Sequence, residues 1–528
     1  MGSIVDLEEK VRHGRLSRRD FLGCAAALGV GAGLASTRFA AAAETAMPKK
    51  GGVLKAGLSG GQSTDTLDPA LDQNKVPFTF ARNWGEFLVT QKPDGSLKNL
   101  IAEEFDSSPD ATRWTMKIRK GVEFHNGKTV TPQDVAATLE RHSDKNSKSG
   151  AYGILKDIDT IKVDGDTVVL TLKTPNAELP YLMTDYHILI QPNGGKDDPN
   201  AGISAGPYRI VSHQPGVHYV GERFENYWAG DELGHADRIE VLVVNDDTAR
   251  MTALQSGKVD MINAVAPRIV SFIERIKGVK LQNVSGKGFY PFNMFCDTAP
   301  FDNNDLRMAL KLATDRKQML DTVLRGYGDI GNDFPINGAY ALFPDDIPQR
   351  EFDPDQAKHY YKKSGYDGSI VLRASDVAFP GALDAAQLFQ QSCAQAGIKI
   401  DVHREPSDGY WSSVWNSKPF CESYWGGRPT QDLMYTTAMY SGADWNDTNF
   451  HNEKFDKMLL EARGELDESK RKAIYHDMAL LVRDKGGEIV PFFNQLLDAT
   501  GSKVAGYTPS PIGELMNGYA LAACWVAT

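Results

Sequence analysis

Apolar and polar residues alternate with a period of two over several stretches in the first half of the chain. Residues 112–119 read Thr-Arg-Trp-Thr-Met-Lys-Ile-Arg, a pattern typical of a half-buried strand in a hairpin. The stretches 159–163 and 167–170 alternate in the same way around Asp164-Gly165-Asp166, a turn of the kind that closes β-hairpins. With a helix predicted around 78–87, these strands predict a small α+β domain from about residue 83 to residue 200.

Helical periodicity is clearest around and beyond that domain. Thr131-Pro132-Gln133-Asp134 is a helix start, with a hydroxyl at the N-cap, proline at the first helical position and an acid in the first turn. One helix is predicted over 304–325 and ends at Gly326, because its apolar residues share one face. Two more helices are predicted at about 453–463 and 468–485. The apolar face of 304–325 consists of Leu306, Ala309, Leu310, Ala313, Leu320, Val323 and Leu324.

The second half of the chain mixes these helices with short apolar strands. Strands are predicted at 238–244 and 259–262, with a helix at 247–255 between them. The order strand 370–372, helix 382–396, strand 398–402 is a βαβ unit, which requires two parallel strands in one sheet. The predicted fold class is therefore α/β with an α+β insertion.

The first 43 residues have the composition of an export signal. Ser17-Arg18-Arg19-Asp20-Phe21-Leu22 is followed by a run rich in alanine and glycine that ends at Ala41-Ala42-Ala43. A twin arginine before a mildly apolar run, closed by small residues, is typical of a twin-arginine signal peptide. We therefore predict a signal peptide over 1–43, cleavage after Ala43 and a periplasmic location.

Charge and cysteine content narrow the chemistry. The chain has 58 Lys and Arg against 69 Asp and Glu, a net charge of −11, which argues against nucleic acid or an anionic membrane as a partner. Outside the leader the cysteines are scattered, and we expect buried thiols, with one late disulfide left open. No histidine pair has metal-ligand spacing and no phosphate-binding loop is present, so we expect no metal and no cofactor. The four cysteines are Cys296, Cys393, Cys421 and Cys524.

Several motifs together resemble one family. The string from Trp114 to Gly127, followed by Thr131–Val135, is similar to the signature of the extracellular solute-binding proteins of the peptide, nickel and opine transport class, family 5. Further stretches agree in order and cover nearly all of residues 51–500. They are Leu67-Asp68-Pro69, Gly206-Pro207-Tyr208, residues 253–260, Phe292-Asn293, Pro300-Phe301, residues 307–310 and residues 352–357.

The resemblance implies a fold of the periplasmic binding protein type II kind, with two lobes, an extra small domain and a ligand cleft between the lobes. Lobe I would comprise 44–82, 205–291 and 500–528, with the accessory α+β domain 83–204 attached to it. Lobe II would comprise 292–499. A monomer would close around a small solute or short peptide and deliver it to an ABC permease of the inner membrane with its ATPase.

The segment Trp425-Gly426-Gly427-Arg428-Pro429 is the most specific candidate ligand site. In dipeptide-binding relatives the matching segment is similar to Trp-x-Gly-Asp, whose aspartate holds the amino terminus of the ligand. Arg428 occupies that place here, and a guanidinium pairs with a carboxylate, so the expected charge of the ligand is reversed. The glycines would allow close approach, and Trp425 would offer a flat apolar face. The alternative is that Arg428 lies on the surface or pairs with Asp432.

The loop Ser59-Gly60-Gly61-Gln62 lies where relatives contact ligand, and Asn293 and Tyr152 are further candidates for the cleft. Residues 57–61 also match G-x-S-x-G, the nucleophile motif of hydrolases, which requires a strand, a sharp turn and a helix. The residues after Ser59 are a poor helix start, which argues against catalysis. His125, in a turn, is expected to be structural.

We therefore interpret the chain as a substrate-binding component of an ABC importer with no catalytic activity, for a peptide-like or carboxylate-bearing, opine-like solute. An oligopeptide carrier, in which Arg428 holds the carboxyl terminus of the peptide, is the alternative within the same class. An exported serine hydrolase using Ser59 and a periplasmic chaperone or docking protein are the alternatives from other classes.

Overall fold

The computed structural model of the chain describes residues 48–72, 75–375, 377–406, 410–443 and 445–527. The predicted signal peptide, residues 1–43, lies outside them. The strands in chain order are β1 Val53–Leu58, β2 Val89–Gln91, β3 Leu97–Asn99, β4 Ala102–Ser107, β5 Arg113–Ile118, β6 Ile158–Asp164, β7 Thr167–Leu172, β8 Tyr208–Gln214, β9 His218–Arg223, β10 Arg238–Val243, β11 Met261–Ile262, β12 Val279–Phe289, β13 Phe292–Met294, β14 Gly328–Ile330, β15 Ile370–Ala374, β16 Ile400–Arg404, β17 Phe420–Glu422, β18 Glu488–Ile489, β19 Phe492–Gly501, β20 Val504–Ala505 and β21 Trp525–Val526.

Helices alternate with these strands and cover the faces of the sheets. In chain order they are α1 Lys75–Trp84, α2 Pro132–Ser143, α3 Tyr152–Leu155, α4 Leu179–Leu182, α5 Asp247–Gln255, α6 Val270–Ile273, α7 Asn304–Leu312, α8 Arg316–Val323, α9 Pro354–Ser364, α10 Ala382–Gln395, α11 Tyr410–Ser413, α12 Gln431–Ala438, α13 Glu453–Gly464, α14 Glu468–Lys485, α15 Glu514–Asn517 and α16 Ala520–Ala523. Among the described residues, none of these helices is long and apolar enough to cross a membrane.

Three sheets organise the molecule. The large sheet has the strand order β12-β19-β11-β1-β10-β9-β8, with β14 paired to β19. The small sheet has the order β4-β5-β7-β6, and the second sheet has the order β16-β15-β17-β13-β18. Each sheet packs on its own apolar core. We use "first lobe" for the large sheet with the small sheet, and "second lobe" for the second sheet with its helices.

The two lobes are joined by long strands that leave one core and enter the other. β12 continues through Tyr290-Pro291 into β13, and β18 continues through Val490-Pro491 into β19. β12 and β19 belong to the large sheet of the first lobe, where Leu281 and Leu497 pack in one apolar cluster. Near the crossing, Phe289 belongs to the core of the second lobe. The domain boundaries predicted from the sequence stay a prediction.

Most predicted elements are confirmed. The hairpin is formed by β6 and β7 around Gly165, whose φ of 61° is the left-handed conformation that such turns need. The predicted strand at 112–119 is β5, which lies between β4 and β7. Thr131 caps α2 in a capping box with Asp134. The βαβ unit forms with β15 and β16 parallel around α10.

The single helix predicted over 304–325 is wrong, because the chain forms two helices, α7 and α8, separated at residues 313–315. Asp315 starts α8, where its carboxylate accepts a hydrogen bond from the Gln318 amide at 2.9 Å. An aspartate side chain that accepts from the backbone favours a new helix start over helix continuation. The apolar face continues across the break, which is why its periodicity suggested one helix.

The structure also locates the four cysteines and the family string. Cys296, Cys393, Cys421 and Cys524 are all free thiols, and three of them are buried. Trp114, Val122 and Phe124 belong to the core of the small sheet, as expected. His125 Nε2 lies 3.0 Å from the Gly206 carbonyl oxygen, and burial lowers its pKa to about 4, so its ring is neutral and held by the backbone.

Candidate ligand-binding cleft

The predicted first loop lies at the carboxyl end of β1. β1 is parallel to β10 and β11, so the three strands end at the same edge of the large sheet. Two asparagines that follow β10 and β11 hold the loop: Asn263 Oδ1 accepts from the Ser59 amide at 2.9 Å, and Asn245 Oδ1 accepts from the Gly60 amide at 2.9 Å. Such an edge is where open α/β sheets bind ligands.

Gly61 and Gln62 complete this loop. The Gly61 carbonyl accepts from Asn245 Nδ2 at 3.1 Å, and Gly61 is buried. Gln62 is exposed, and its amide donates to Asp65 Oδ2 at 2.9 Å. Within residues 48–72, the first helical turn after Ser59 is the short segment Pro69–Leu71, so the strand–turn–helix geometry of a hydrolase nucleophile is not formed there.

A polar group that the sequence analysis missed lies beside the loop. Asn263 Nδ2 donates to Glu514 Oε2 at 2.9 Å, and Glu514 Oε1 pairs with Lys75 Nζ at 2.6 Å. Glu514 and Lys75 are 439 residues apart, so no local sequence pattern could have joined them. Asn245 and Asn263, which directly follow two predicted strands, were a sequence signal for polar groups at this edge of the sheet.

The opposite wall is built around Trp425, which is 4% exposed. Its amide and carbonyl pair with Phe289 of β12 at 2.9 and 3.0 Å. Its indole Nε1 donates to Asp447 Oδ2 at 3.1 Å, and the same oxygen accepts from Asn293 Nδ2 at 2.7 Å. Asn293 is 1% exposed, and the structure places it within the second lobe beside Asp447. Burial raises the pKa of Asp447 to about 7, against the hydrogen bonds that favour its charged form.

Arg428 follows Trp425 in the second lobe and is partly exposed, and among the described residues no carboxylate lies within 4.0 Å of its guanidinium. Its Nη1 donates to the Gly426 carbonyl at 3.2 Å, and its Cζ lies 5.6 Å from the centre of the Trp425 ring. Burial lowers the pKa of Arg428, and the charge of the Asp185 carboxylate opposes that shift. Asp185 belongs to the first lobe, so the two lobes approach each other near Arg428.

The alternative ion pair for Arg428 is not formed. Asp432 Oδ1 pairs with Arg463 Nε at 3.0 Å, within the second lobe. Gly426 and Gly427, on either side of the turn before Arg428, are exposed. A Cβ on Gly427 would lie 2.3 Å from Lys287 Cβ, so this position accepts only glycine without movement of β12.

A pocket of about 450 Å³ lies between the lobes, in the size range of small-molecule sites. The first lobe contributes Arg268, which pairs with Asp247 at 2.6 Å. The second lobe contributes an aromatic wall in which the Tyr290 and Phe379 rings stack at 4.6 Å. Tyr424, beside Trp425, is 53% exposed. The remaining lining residues are Val377, Ala378 and Pro380.

A second pocket, of about 630 Å³, lies on the small-sheet side of the first lobe only. Its lining is mostly polar and includes Glu140, Asp144 and Lys196. No residue of the second lobe lines it, so lobe closure would not enclose a solute there. We therefore assign the candidate site to the pocket between the lobes.

The lobes touch again at an outer contact. The Ala177 amide donates to the Arg463 carbonyl at 2.7 Å, and Tyr475 OH donates to Glu178 Oε1 at 3.0 Å. Arg471 Nε lies 4.0 Å from the same carboxylate oxygen. Burial, followed by the nearby charge of Asp432, raises the pKa of Glu178 to about 7.

Tyr152 begins α3, two residues after Gly150, which packs against the ring of His187. In the part of the chain that the structure describes, its hydroxyl makes no hydrogen bond to the other candidates. None of the site residues predicted from the sequence is among those that line the pocket between the lobes. Ser59–Gly61 follow β1 in the first lobe, and Trp425–Arg428 follow β17 in the second lobe. No group of three or more His, Cys, Asp or Glu that could hold a metal occurs among the described residues.

Comparison with known proteins places this geometry in a family. The family described as bacterial extracellular solute-binding proteins, family 5, matches residues 96–447. The glutathione-binding protein GsiB of Pectobacterium atrosepticum is 26% identical over 485 residues, covering 85% of this chain and 91% of that protein. Heme-binding protein A of Haemophilus influenzae is also 26% identical over 485 residues, covering 81% of this chain and 85% of that protein.

Solved structures agree with this match. The structure of AgaA from A. tumefaciens R10, in complex with agropinic acid, superposes with a TM-score of 0.74 at 24% identity, and it covers 90% of this chain and 99% of AgaA. At that identity the likeness shows the fold, which is the two-lobed fold expected from the sequence. Because the family match spans most of the chain, this protein belongs to the bacterial extracellular solute-binding proteins of family 5.

Proposed function

We propose that this protein captures a small solute with a carboxylate group, of the opine-like or peptide-like kind, and that Arg428 binds the carboxylate. One observation carries the proposal: no carboxylate among the described residues pairs with the Arg428 guanidinium, which donates to the Gly426 carbonyl of its own loop at 3.2 Å. A guanidinium that loses water needs a charged partner, and a bidentate carboxylate fits its geometry.

The pocket supports a small solute over a long peptide. Its volume of about 450 Å³ suits a ligand of modest size. Its aromatic wall, in which Tyr290 stacks on Phe379, would cover aliphatic or planar parts of the ligand, while Arg268 would supply a charged contact from the first lobe. Agropinic acid, bound by AgaA, and glutathione, named for GsiB, are solutes of this chemistry.

Transport would follow from lobe closure. Family 5 proteins bind small ligands or peptides and work with ABC permeases. A ligand that contacts Ser59–Gly61 on one lobe and Arg428 on the other makes both contacts only when the lobes are closed, and this difference drives closure. Export through the twin-arginine pathway and a monomeric state belong to the same proposal.

A thermal-shift panel tests the proposal. The protein is unfolded and refolded to remove carried-over ligand, then heated with agropinic acid, glutathione, haem, or dipeptides and their C-terminal amides. A ligand at 100 times its dissociation constant adds about 2.7 kcal/mol of stability, which is readily measured. Stabilisation by the acids and not by the amides supports the proposal. Equal stabilisation by acid and amide contradicts the role of Arg428.

A further inference from the structure

Lys287 occupies an unusual position in the strand that joins the lobes. It is 5% exposed and lies between Gly286 and Gly288, where the pairing of β12 with β19 shifts register between Ser285 and Phe289. A buried ammonium is costly unless its protons are donated, and burial lowers the pKa of Lys287 to about 8. The ammonium of Lys287 therefore needs hydrogen-bond acceptors within the protein.

Those hydrogen bonds go to the loop that carries Arg428. Lys287 Nζ donates to the Pro429 carbonyl at 3.0 Å and to the Arg428 carbonyl at 3.4 Å. The ammonium also lies 4.6 Å from the centre of the Tyr340 ring, and Tyr340 OH accepts from the Arg428 amide at 3.1 Å. Lys287 and Tyr340 thus hold both polar backbone groups of Arg428.

The packing between the strand and the loop leaves little room for independent movement. A Cβ on Gly427 would lie 2.3 Å from Lys287 Cβ, and a Cβ on Gly288 would lie 3.2 Å from the Trp425 carbonyl oxygen. The glycines let the two backbones meet directly. A bend of β12 at this irregular position would therefore carry the loop with it.

We propose that Lys287 is a positioning residue for ligand binding: it fixes the backbone of Arg428 and so sets where the guanidinium stands as the lobes move. The effect on affinity rests on the proposed function, since it requires Arg428 to bind the ligand. The effect on the loop does not, because it follows from the contacts of Lys287 alone.

Hydrogen–deuterium exchange of residues 426–430 tests the effect on the loop without any ligand. Lys287→Met keeps most of the side-chain volume and removes the donors, and we expect about tenfold faster exchange in this segment. Lys311→Met is the matched control. Lys311 is also buried and donates to two backbone carbonyls, those of Arg483 and Gly486, both at 2.9 Å. We expect it to leave exchange at 426–430 unchanged.

Affinity for agropinic acid and for glutathione, measured by calorimetry, tests the link to Arg428. We expect Lys287→Met to weaken binding about tenfold in the wild-type background and to have no further effect in Arg428→Gln. Faster loop exchange with wild-type affinity in Arg428→Gln would support the positioning of the loop and contradict the proposed function. Unchanged exchange at 426–430 in Lys287→Met would overturn the positioning role.

A second variant keeps the test decisive if Lys287→Met does not fold. Tyr340→Phe removes only the hydroxyl that accepts from the Arg428 amide. We expect faster exchange at the Arg428 amide in this variant, with wild-type exchange in β17. Wild-type exchange at Arg428 would contradict the premise that Lys287 and Tyr340 together hold the backbone of Arg428.

Discussion

From the outer contact between the lobes we predict that closure depends on pH. Glu178 is 5% exposed, and Tyr475, Arg471 and Asp432 of the other lobe surround its carboxyl group. In this structure the pKa of Glu178 is raised from 4.5 to about 7, first by burial and then by the charge of Asp432. If opening returns the carboxyl group to water, closure takes up a proton between these two values. Below the lower pKa the carboxyl group is protonated in both states and closure carries no penalty from Glu178. As the pH rises through about 7, the proton is lost and closure becomes less favourable.

The size of the effect follows from the pKa shift. Comparing pH 8 with pH 5.5, the shift makes closure, and therefore ligand binding, about ten- to thirtyfold more favourable at the lower pH. Glu178→Gln keeps the shape of the side chain and cannot titrate, so its affinity should vary little over this range. The hydrogen bond from Tyr475 OH has an acceptor in both forms.

The assay is calorimetric titration of wild type and Glu178→Gln at both pH values with whichever solute stabilises the protein in the thermal-shift panel. Buried acids within single lobes, such as Asp447, also have a raised pKa. They should affect unfolding more than closure, because closing the lobes does not change their surroundings. If Glu178→Gln retains the wild-type dependence on pH, the outer contact does not control closure and the reasoning is wrong.

Two further predictions concern stability. Asp333 is fully buried between Arg316 at 2.6 Å and Arg350 at 2.8 Å, so Asp333→Asn should destabilise the second lobe by about 3–5 kcal/mol, and a wild-type midpoint in urea unfolding would contradict this. The cysteines of the described chain are free thiols, so a reducing agent should leave the melting temperature unchanged. A fall in melting temperature with dithiothreitol would reveal a disulfide absent from the structure.

Local patterns in the sequence predicted much of the fold. Period-two alternation gave β5, β6 and β7, and the N-cap and proline signals gave the start of α2 at Pro132. These elements are set by residues close in sequence, which is why they can be read directly. The break between α7 and α8 was missed because the apolar face continues across it. The only local signal was Asp315, whose side chain caps the start of α8.

The cleft was harder to predict because distant residues build it. Arg428 and the Ser59 loop were singled out from motifs, but Asn263, Glu514 and Lys287 contact them only through the fold. Asn293 was expected to bind ligand, and its position beside Asp447 shows that a polar residue near a hinge can equally support a buried wall. Sequence motifs indicate where strands end. They do not indicate which residues from distant parts of the chain meet in the folded protein.

The most direct test of the proposed role of Arg428 is whether the protein prefers a ligand with a carboxylate over the same ligand with a neutral amide. Calorimetry would compare the best carboxylate ligand of the panel with its primary amide, in wild type, Arg428→Lys and Arg428→Gln. The account predicts that wild type prefers the acid by about 2–4 kcal/mol, that lysine retains part of this preference and that glutamine abolishes it. The same preference for the acid in Arg428→Gln would contradict the account.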